Sequence, residues 1–263
     1  MVASRQPHDL PLPAVDERLV MPETRYEIID GQVVYVSPAD YPHASRHSKL
    51  SALLETHAAI GFEAASDMLT RTSAKGDMAP DGSIFPEDPD PITGGRQLEH
   101  LAFEIASTET LSHAGIKAAR LMERGVRRVF AIDVERKRAL EWSTATESWQ
   151  ILRNDDSITD LALVTPLPIA ALVGAADIDD ALVRALAAKN NTALTELRNE
   201  SRDVGRNEAQ VEGLRRQLLV VLRVRGLAMT PAQAALVAAC HDVELLTRWN
   251  ERAETDTLDA IFA

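Results

Sequence analysis

The feature that most constrains the fold is a change of sequence pattern near Pro168. Before this residue, short β-favouring runs alternate with two segments of helical periodicity. After it, the chain is rich in Ala, Leu, Arg and Glu, and strand patterns stop. The first part therefore predicts an α/β fold, mixed α+β in type, in which helices pack on the faces of a sheet. The second part predicts helices only.

Four segments follow from this pattern. Residues 1–22 are rich in proline and lack periodicity, which predicts a flexible lead-in. Residues 23–168 are predicted to form the mixed domain, residues 169–226 a helical linker, and residues 227–263 a small helical segment. A chain of 263 residues with 45% hydrophobic residues can bury the core that this division requires.

Turn residues and apolar spacing place the elements of the mixed domain. Asp30-Gly31 is a two-residue turn signal and predicts a hairpin between residues 25–30 and 32–37. Residues 73–82 are predicted to form turns. The other predicted elements are a helix over 43–60, strands over 62–72, 83–85 and 101–106, a helix over 111–124, a strand over 126–134 and a hairpin over 138–144 and 149–152. The predicted element order is therefore ββαβββαβββ.

The helical part carries a seven-residue repeat that leaves two alternatives open. Its apolar positions are Leu197, Val204, Val211 and Leu218, with Leu214 and Val221 at the complementary positions. The repeat predicts either a short coiled coil that holds a homo-oligomer together or a helix that packs on its own domain. A second helix is predicted from Pro231, because Thr230-Pro231 is typical of a helix N-terminus.

Composition excludes several classes of protein. No run of about 18 apolar residues occurs, so no membrane-spanning helix is expected. The N-terminus lacks the basic start and apolar stretch of a secretion signal, which predicts a cytoplasmic protein. Cys240 is the only cysteine, which excludes an intramolecular disulfide and a cysteine-rich metal site, and its apolar neighbours predict a buried side chain.

The charge of the chain is uneven. The net charge of −12 argues against nucleic-acid binding driven by charge alone, because phosphate contacts draw their affinity from Lys and Arg. Residues 185–263 carry 10 basic and 11 acidic side chains, so the excess of carboxylates lies in the earlier part of the chain. Such an excess is typical of a solvated surface, but a divalent-metal site also needs carboxylates.

One acid, Glu104, interrupts the apolar run over 101–106. Either this strand lies at a sheet edge and Glu104 faces water, or the carboxylate is buried and needs a partner, because an isolated buried charge is costly. Asp81 begins a strand after Pro80 and alone would be an ordinary turn aspartate. Together, carboxylates on neighbouring strands can share a divalent cation.

Several short motifs, taken in order, resemble the Uma-two family of endonucleases in the PD-(D/E)XK, restriction-endonuclease-like superfamily. They are RYEIIDG at 25–31, Ser37-Pro38 with His43 after it, Pro80-Asp81, FEIAS at 103–107, Lys117 eight residues before Gly125-Val126, and FAID at 130–133. The resemblance covers roughly residues 23–165. It implies a mixed central sheet flanked by helices and metal-dependent hydrolysis of DNA.

Carried onto this chain, the resemblance implies that Asp81 and Glu104 bind Mg²⁺ or Mn²⁺ and that Lys117 is the catalytic lysine. The superfamily usually places this lysine two residues after the second acid, where this chain has Ala106. The family resemblance instead suggests a lysine on the following helix, although Lys117 could also be a solvated helix lysine. His113 stands where the family often has an aspartate.

Leu121 likewise replaces a common aromatic residue. These departures keep a second hypothesis open, in which a catalytically degenerate nuclease fold serves as a binding or oligomerisation module. Glu27 is either an accessory acid near the metal or a cross-strand partner on a polar face.

Histidines and arginines supply two further candidates. His43 and His47 are one helical turn apart, a spacing that can bind zinc, but the sequence shows neither a third ligand nor an HExxH pattern. The basic clusters of the domain are Arg124, Arg127 and Arg128, followed by Arg136, Lys137 and Arg138. They could contact phosphate or belong to solvated loops.

Overall fold

The structure is a computed structural model that describes residues 12–19, 26–36, 39–106, 111–174 and 178–263. The chain groups into two compact units, Met1–Asn190 and Asn191–Ala263. Compactness is a different property from independent folding, so the segment boundaries predicted at residues 22, 168 and 226 stay a prediction.

The first unit contains strands and helices in alternation, as the sequence predicts. In chain order they are β1 (Tyr26–Ile29), β2 (Gln32–Tyr35), α1 (Tyr41–His57), β3 (Phe62–Ala65), β4 (Thr70–Ser73), β5 (Gly76–Met78), β6 (Gly82–Pro86), β7 (Leu101–Ala106), α2 (Leu111–Arg124), β8 (Arg128–Asp133), β9 (Arg138–Ser143), β10 (Ser148–Ile151), β11 (Ser157–Ile158), β12 (Leu167–Pro168), α3 (Ile169–Val173) and α4 (Ile178–Ala188). The mixed α+β fold class is confirmed.

A six-stranded mixed sheet forms the centre of this unit, in the order β10-β9-β8-β7-β6-β3. Strands β7 and β8 are parallel and joined through α2, whereas the other neighbours are antiparallel. Every residue of β7 is buried, because helices cover both faces of the sheet. Leu50, Leu53 and Leu54 of α1 pack with Phe103 on one face, and Ala118 and Leu121 of α2 pack with Ala102 on the other.

A four-stranded antiparallel sheet, in the order β2-β1-β5-β4, lies within the same unit. The β1–β2 hairpin is confirmed, and its turn residues Asp30 and Gly31 have φ values of 50° and 81°. Positive φ at both central positions is typical of a type I′ turn, which suits the twist of a hairpin.

Two predictions in this region are wrong. Residues 62–72 are not one strand: β3 and β4 lie in different sheets, and Asp67 between them has a φ of 51°. Aspartate tolerates this left-handed conformation, which interrupts an extended chain. Residues 73–82 contain strand β5, which is too short to show periodicity. Among the residues that the structure describes, five strands rather than three therefore lie between α1 and α2.

The described part of the predicted lead-in, residues 12–19, packs against its domain. Val15 is buried, and its carbonyl accepts a hydrogen bond from the amide of Arg71 at 3.1 Å. The amide of Leu19 donates to Asp77 Oδ2 at 2.6 Å.

The second unit is helical, in agreement with the composition after Pro168. It contains α5 (Thr192–Val224), α6 (Pro231–Ala239), α7 (Val243–Ala253) and α8 (Leu258–Ile261). Val211 and Leu218 of α5 pack with α7, whereas Leu197 and Val204 of the same repeat are 61% and 58% exposed. No helix in the described ranges is long and apolar enough to cross a membrane.

Cys240 is less buried than the sequence predicts. It follows the last residue of α6 and is half-buried beside the apolar core of the second unit. Its carbonyl accepts a hydrogen bond from Arg215 Nε at 3.0 Å, so the backbone of this residue, rather than a deeply buried thiol, ties α6 to α5.

Candidate active site

Asp81 and Glu104 lie side by side where strand β6 begins. The register pairs Gly82 of β6 with Phe103 of β7, and one further step places Asp81 opposite Glu104. Residues directly opposite in an antiparallel pair project to the same face of the sheet. In addition, Asp81 Oδ2 accepts a hydrogen bond from the amide of Ile105 at 2.5 Å. The sheet therefore brings together the two acids that the resemblance implies as metal ligands.

Glu104 is the most deeply buried acid of this pair, at 2% exposure. Its Oε2 lies 2.9 Å from Lys117 Nζ, whereas its Oε1 has no hydrogen-bond partner among the described residues. Burial raises the pKa of Glu104 well above its usual value, since the charge of Lys117 offsets desolvation only partly and the charges of Asp81 and Glu27 raise it further. The alternative of an edge strand with Glu104 in water is therefore wrong.

Lys117 is buried rather than solvated, at 5% exposure. It lies on the apolar face of α2, which also carries Ala114, Ala118 and Leu121. Its Nζ is 2.9 Å from Glu104 Oε2 and 3.2 Å from Glu27 Oε1, and it donates to the carbonyl of Ala79 at 3.1 Å. An ammonium group has three donors, and these three contacts fix its position in the sheet-facing surface of the helix.

Glu27 reaches the cluster from strand β1 of the other sheet. Its Oε1 accepts a hydrogen bond from the amide of Ala79 at 2.6 Å and is 3.2 Å from Lys117 Nζ. The residue is buried, and Val34 stands opposite it on β2. The alternative of a cross-strand partner on a polar face is therefore wrong. We call Glu27, Glu104 and Lys117 the inner cluster.

Asp81 lies at the outer border of the inner cluster, with 15% of its side chain exposed. Burial acts to raise the pKa of Asp81, but hydrogen bonding to His43, the charge of Lys117 and the amide of Ile105 outweigh it and lower this pKa. His43 Nε2 is 3.3 Å from Asp81 Oδ1, and this hydrogen bond raises the pKa of His43. Asp81 is therefore an ionised acid that faces solvent on one side and a buried carboxylate on the other.

A second group of polar side chains continues outward from Asp81. His47 Nε2 is 3.3 Å from Asp67 Oδ1, and the rings of His43 and His47 stack with their centroids 6.1 Å apart. We call His43, His47 and Asp67 the outer cluster. The spacing of the two histidines was visible in the sequence, but Asp67 carried no signal, because only the fold brings its turn to α1.

A comparison with protein-family models places the chain. The Uma2 model, described as "Putative restriction endonuclease", matches residues 13–171. The chain belongs to the Uma2 family. The resemblance found in the sequence is thus confirmed, and the match extends about ten residues before and about six residues after the region first identified.

One solved structure similar to this Uma2 chain is described as "a putative nuclease belonging to DUF820 from Anabaena variabilis ATCC 29413". It shares 17% sequence identity, covers 61% of this chain and 98% of its own, and gives a TM-score of 0.49. A search of curated proteins gave no match.

The three residues that depart from the family pattern, Ala106, His113 and Leu121, differ in how deeply they are buried. Ala106 ends strand β7 and is buried, while the lysine comes from α2 instead. His113 is half-buried on the same helix. Leu121 is fully buried in the apolar core beneath α2, so its replacement of an aromatic residue alters packing rather than the polar cluster. The Uma2 chain therefore retains a lysine beside the second acid by a different route through the fold.

The arginines that sequence analysis singled out are engaged within the unit. Arg127 pairs with Asp160, Arg128 Nε lies 2.7 Å from Glu141 Oε1, and Arg138 Nε lies 2.9 Å from Asp133 Oδ2. Carboxylates compensate these charges, so they attract phosphate less than unpaired arginines would.

The donor set fits a hard divalent cation. The acids offer carboxylate oxygens, which Mg²⁺ and Mn²⁺ prefer, and the unsatisfied Oε1 of Glu104 is a buried acceptor that such an ion would satisfy. Asp81 and Glu104 are the residues that would hold the ion.

Proposed function

We propose that this Uma2 protein is a metal-dependent endonuclease that hydrolyses the phosphodiester bonds of DNA. The observation that carries the proposal is the buried ion pair of Lys117 and Glu104 beside the ionised Asp81. Buried charges usually cost stability, and groups of this kind are common at functional sites. Membership of the Uma2 family, whose description names an endonuclease, agrees with this reading.

Asp81 and Glu104 would hold Mg²⁺ or Mn²⁺, which would supply Lewis-acid polarisation of a phosphate oxygen and would lower the pKa of water at the site. Lys117, as an ammonium group, orients the attacking water and neutralises the negative charge that grows on the phosphate oxygens. Glu27 is the accessory acid: it holds Lys117 Nζ and the amide of Ala79 in place. The hydrogen bond from the amide of Ile105 holds the carboxylate of Asp81 toward β7.

The proposed substrate is DNA in spite of the acidity of the chain. The net charge is −12, and Arg128 and Arg138 are paired with carboxylates, so these charges attract phosphates only weakly. A bound cation would reduce the local negative charge at the site. We therefore expect DNA binding to depend on the divalent ion and to be weak in its absence.

The test is cleavage of supercoiled DNA by the full-length protein with Mg²⁺ or Mn²⁺ and with excess chelator. Asp81→Asn, Glu104→Gln and Lys117→Met should each lower the rate by at least about 100-fold. Lys75→Met is the matched control, because Lys75 is exposed in the same unit, and it should keep full activity. Cleavage that survives in all three site variants would refute the proposal.

The second candidate is the degenerate nuclease fold that binds or assembles without turnover. The acidic composition and the paired arginines favour it. This candidate predicts that the wild-type protein binds the metal ion but does not cleave DNA with either Mg²⁺ or Mn²⁺. Calorimetry would measure the binding, and the cleavage assay described above would measure the activity.

We also propose a second copy of the chain as a partner, bound through the N-terminal half of α5. Residues 194–210 are exposed almost throughout, and Leu197 and Val204 continue the repeat that Val211 and Leu218 use inside the unit. A second copy of the chain would cover the exposed Leu197 and Val204 side chains, since apolar residues at this spacing pack against a partner helix. Light scattering should give a dimer at tens of micromolar and a monomer for the Leu197→Glu, Val204→Glu variant. A monomeric wild type would overturn this proposal.

A further inference from the structure

We propose that His47, Asp67 and Asp81 form a second metal site, outside the inner cluster, that takes a transition-metal ion of the Zn²⁺, Co²⁺ and Mn²⁺ class. Each residue offers one ligand atom, and the three atoms lie within 4.8 Å of one another. The site shares Asp81 with the proposed nuclease site but needs neither Glu104 nor Lys117. It therefore goes beyond the proposed hydrolysis, and it can be tested without an activity assay.

Three different elements supply the ligands. His47 lies on the second turn of α1, Asp67 lies in the turn between β3 and β4, and Asp81 immediately precedes β6. The turn is tied to the helix by the hydrogen bond between Ser66 Oγ and Ser51 Oγ at 2.8 Å. Because Ser51 is one helical turn after His47, this contact holds Asp67 beside the imidazole, with Nε2 and Oδ1 3.3 Å apart.

The donor chemistry selects the class of ion. One imidazole nitrogen and two carboxylate oxygens suit Zn²⁺, Co²⁺ and Mn²⁺, whereas Mg²⁺ prefers oxygen ligands alone. Ligand atoms on opposite sides of an ion with bonds of about 2.1 Å are about 4.2 Å apart, so a pair of atoms near the 4.8 Å limit would have to move slightly closer on binding. Asp67 can supply this movement, because its side chain is 69% exposed and lies in a turn.

His43 supports the site without being one of the three ligands. Its Nε2 lies 3.3 Å from Asp81 Oδ1, and its ring stacks on that of His47 at an interplanar angle of 17°. Partners that hydrogen-bond a ligating carboxylate fix its orientation. His43 is therefore a positioning residue for Asp81 and, through the stacked rings, for His47.

Asp81, the third ligand, distinguishes this arrangement from an ordinary surface ion pair. His47 and Asp67 alone would be a common, exposed His–Asp contact of little energetic consequence. Asp81 adds an ionised carboxylate that the amide of Ile105 and the ring of His43 already hold in place. Only Asp67 has to be recruited when the ion binds.

The experiment measures binding of Co²⁺ and Zn²⁺ alone to the full-length protein after treatment with a chelator. Co²⁺ binding is followed by visible absorption and Zn²⁺ binding by calorimetry. His47→Ala and Asp67→Asn should each weaken binding by more than about 100-fold, and His43→Ala by about 10- to 100-fold, the range for residues that orient a ligand. Circular dichroism checks that each variant is folded.

Matched controls assign the ion to this site. Glu104→Gln should keep the Co²⁺ absorption, since Glu104 belongs only to the inner cluster. His241→Ala and Asp88→Asn remove exposed residues of the same types and should change nothing. The inference is overturned if neither ion binds, or if His47→Ala and Asp67→Asn bind like the wild type. Loss of binding in Glu104→Gln with retention in His47→Ala would place the ion in the inner cluster, which overturns the second site but leaves the proposed nuclease intact.

Discussion

The inner and outer clusters share Asp81 as their neighbour but differ in what holds them. The inner cluster of Glu27, Glu104 and Lys117 is buried between two sheets and a helix, and every member contacts another at 3.2 Å or less. The outer cluster consists of half-buried histidines on one helix and an exposed aspartate in a turn, with contacts of 3.3 Å.

The difference shows how burial changes the role of identical chemical groups. In the inner cluster, desolvation raises the pKa of Glu104, so the ammonium group of Lys117 is needed to stabilise the negative charge of the Glu104 carboxylate. In the outer cluster, water screens the ion pairs and each contributes little to stability. The inner cluster is therefore tied to folding, while the outer cluster is free to respond to ions and pH.

Removal of Lys117 should have the largest effect. Lys117→Met leaves Glu27 and Glu104 buried without their counter-charge, so the free energy of unfolding should fall by about 3–5 kcal/mol. Mg²⁺ should recover part of this loss, because a cation bound to the folded state stabilises it and replaces the missing charge. Chemical denaturation with and without Mg²⁺ measures both effects.

The matched variant for this prediction neutralises the whole inner cluster. Glu27→Gln, Glu104→Gln and Lys117→Met together remove the uncompensated charges and should be more stable than Lys117→Met alone. A loss of no more than about 0.5 kcal/mol in Lys117→Met would show instead that the lysine behaves as a surface residue.

Glu27 should have an intermediate effect. Glu27→Gln keeps the shape but loses the charge at Lys117 and weakens the acceptor for the amide of Ala79, which should cost about 1–3 kcal/mol. A double-mutant cycle with Lys117→Met should give a coupling free energy of about 0.5–3 kcal/mol. Additive effects of the two substitutions would contradict the direct contact between them.

The two clusters also differ in how many of their residues could be predicted from the sequence alone. Glu104 and Asp81 were found because an acid inside an apolar run and a Pro-Asp strand start are local patterns, and the β6–β7 register then brings them together. Lys117 needed the family resemblance, since a helix lysine has no local signal of burial. Asp67 could not be found, because its neighbours in space come from α1 and β6, and β5 was missed because three residues show no periodicity.

For the fold as well, elements with a local sequence pattern were predicted, and features that depend on distant contacts were not. The helix α2 and the fully buried strand β7 were predicted with correct bounds, because burial on one face leaves a helical period and burial on both faces leaves an apolar run. The break between β3 and β4 depends on a single left-handed Asp67. Assignment of those two strands to separate sheets is a tertiary property with no sequence period.

The smallest effect we predict concerns the three histidines of α1, which should respond to pH in opposite directions. Hydrogen bonds to Asp81 and Asp67 raise the pKa values of His43 and His47, whereas burial lowers the pKa of His57. A raised pKa contributes stability that is fully present below the unfolded value of about 6.5 and is lost as the pH rises through the folded value. A lowered pKa contributes stability that is present above about 6.5 and is lost as the pH falls through it toward the folded value.

Single variants separate these contributions. As the pH falls from 7 to 5, His57 lowers the free energy of unfolding of the wild type, and His57→Gln should reduce this loss. Over the same range His47 raises the free energy of unfolding, and His47→Gln should remove this gain. The measurement is chemical denaturation at several pH values without metal, with His241→Gln as the control because His241 is exposed in the second unit. Each change should stay near the scale of a single partly screened group, about 1 kcal/mol or less. If His47→Gln and His57→Gln shifted the pH profile in the same direction, the opposite environments assigned to the two ends of α1 would be wrong.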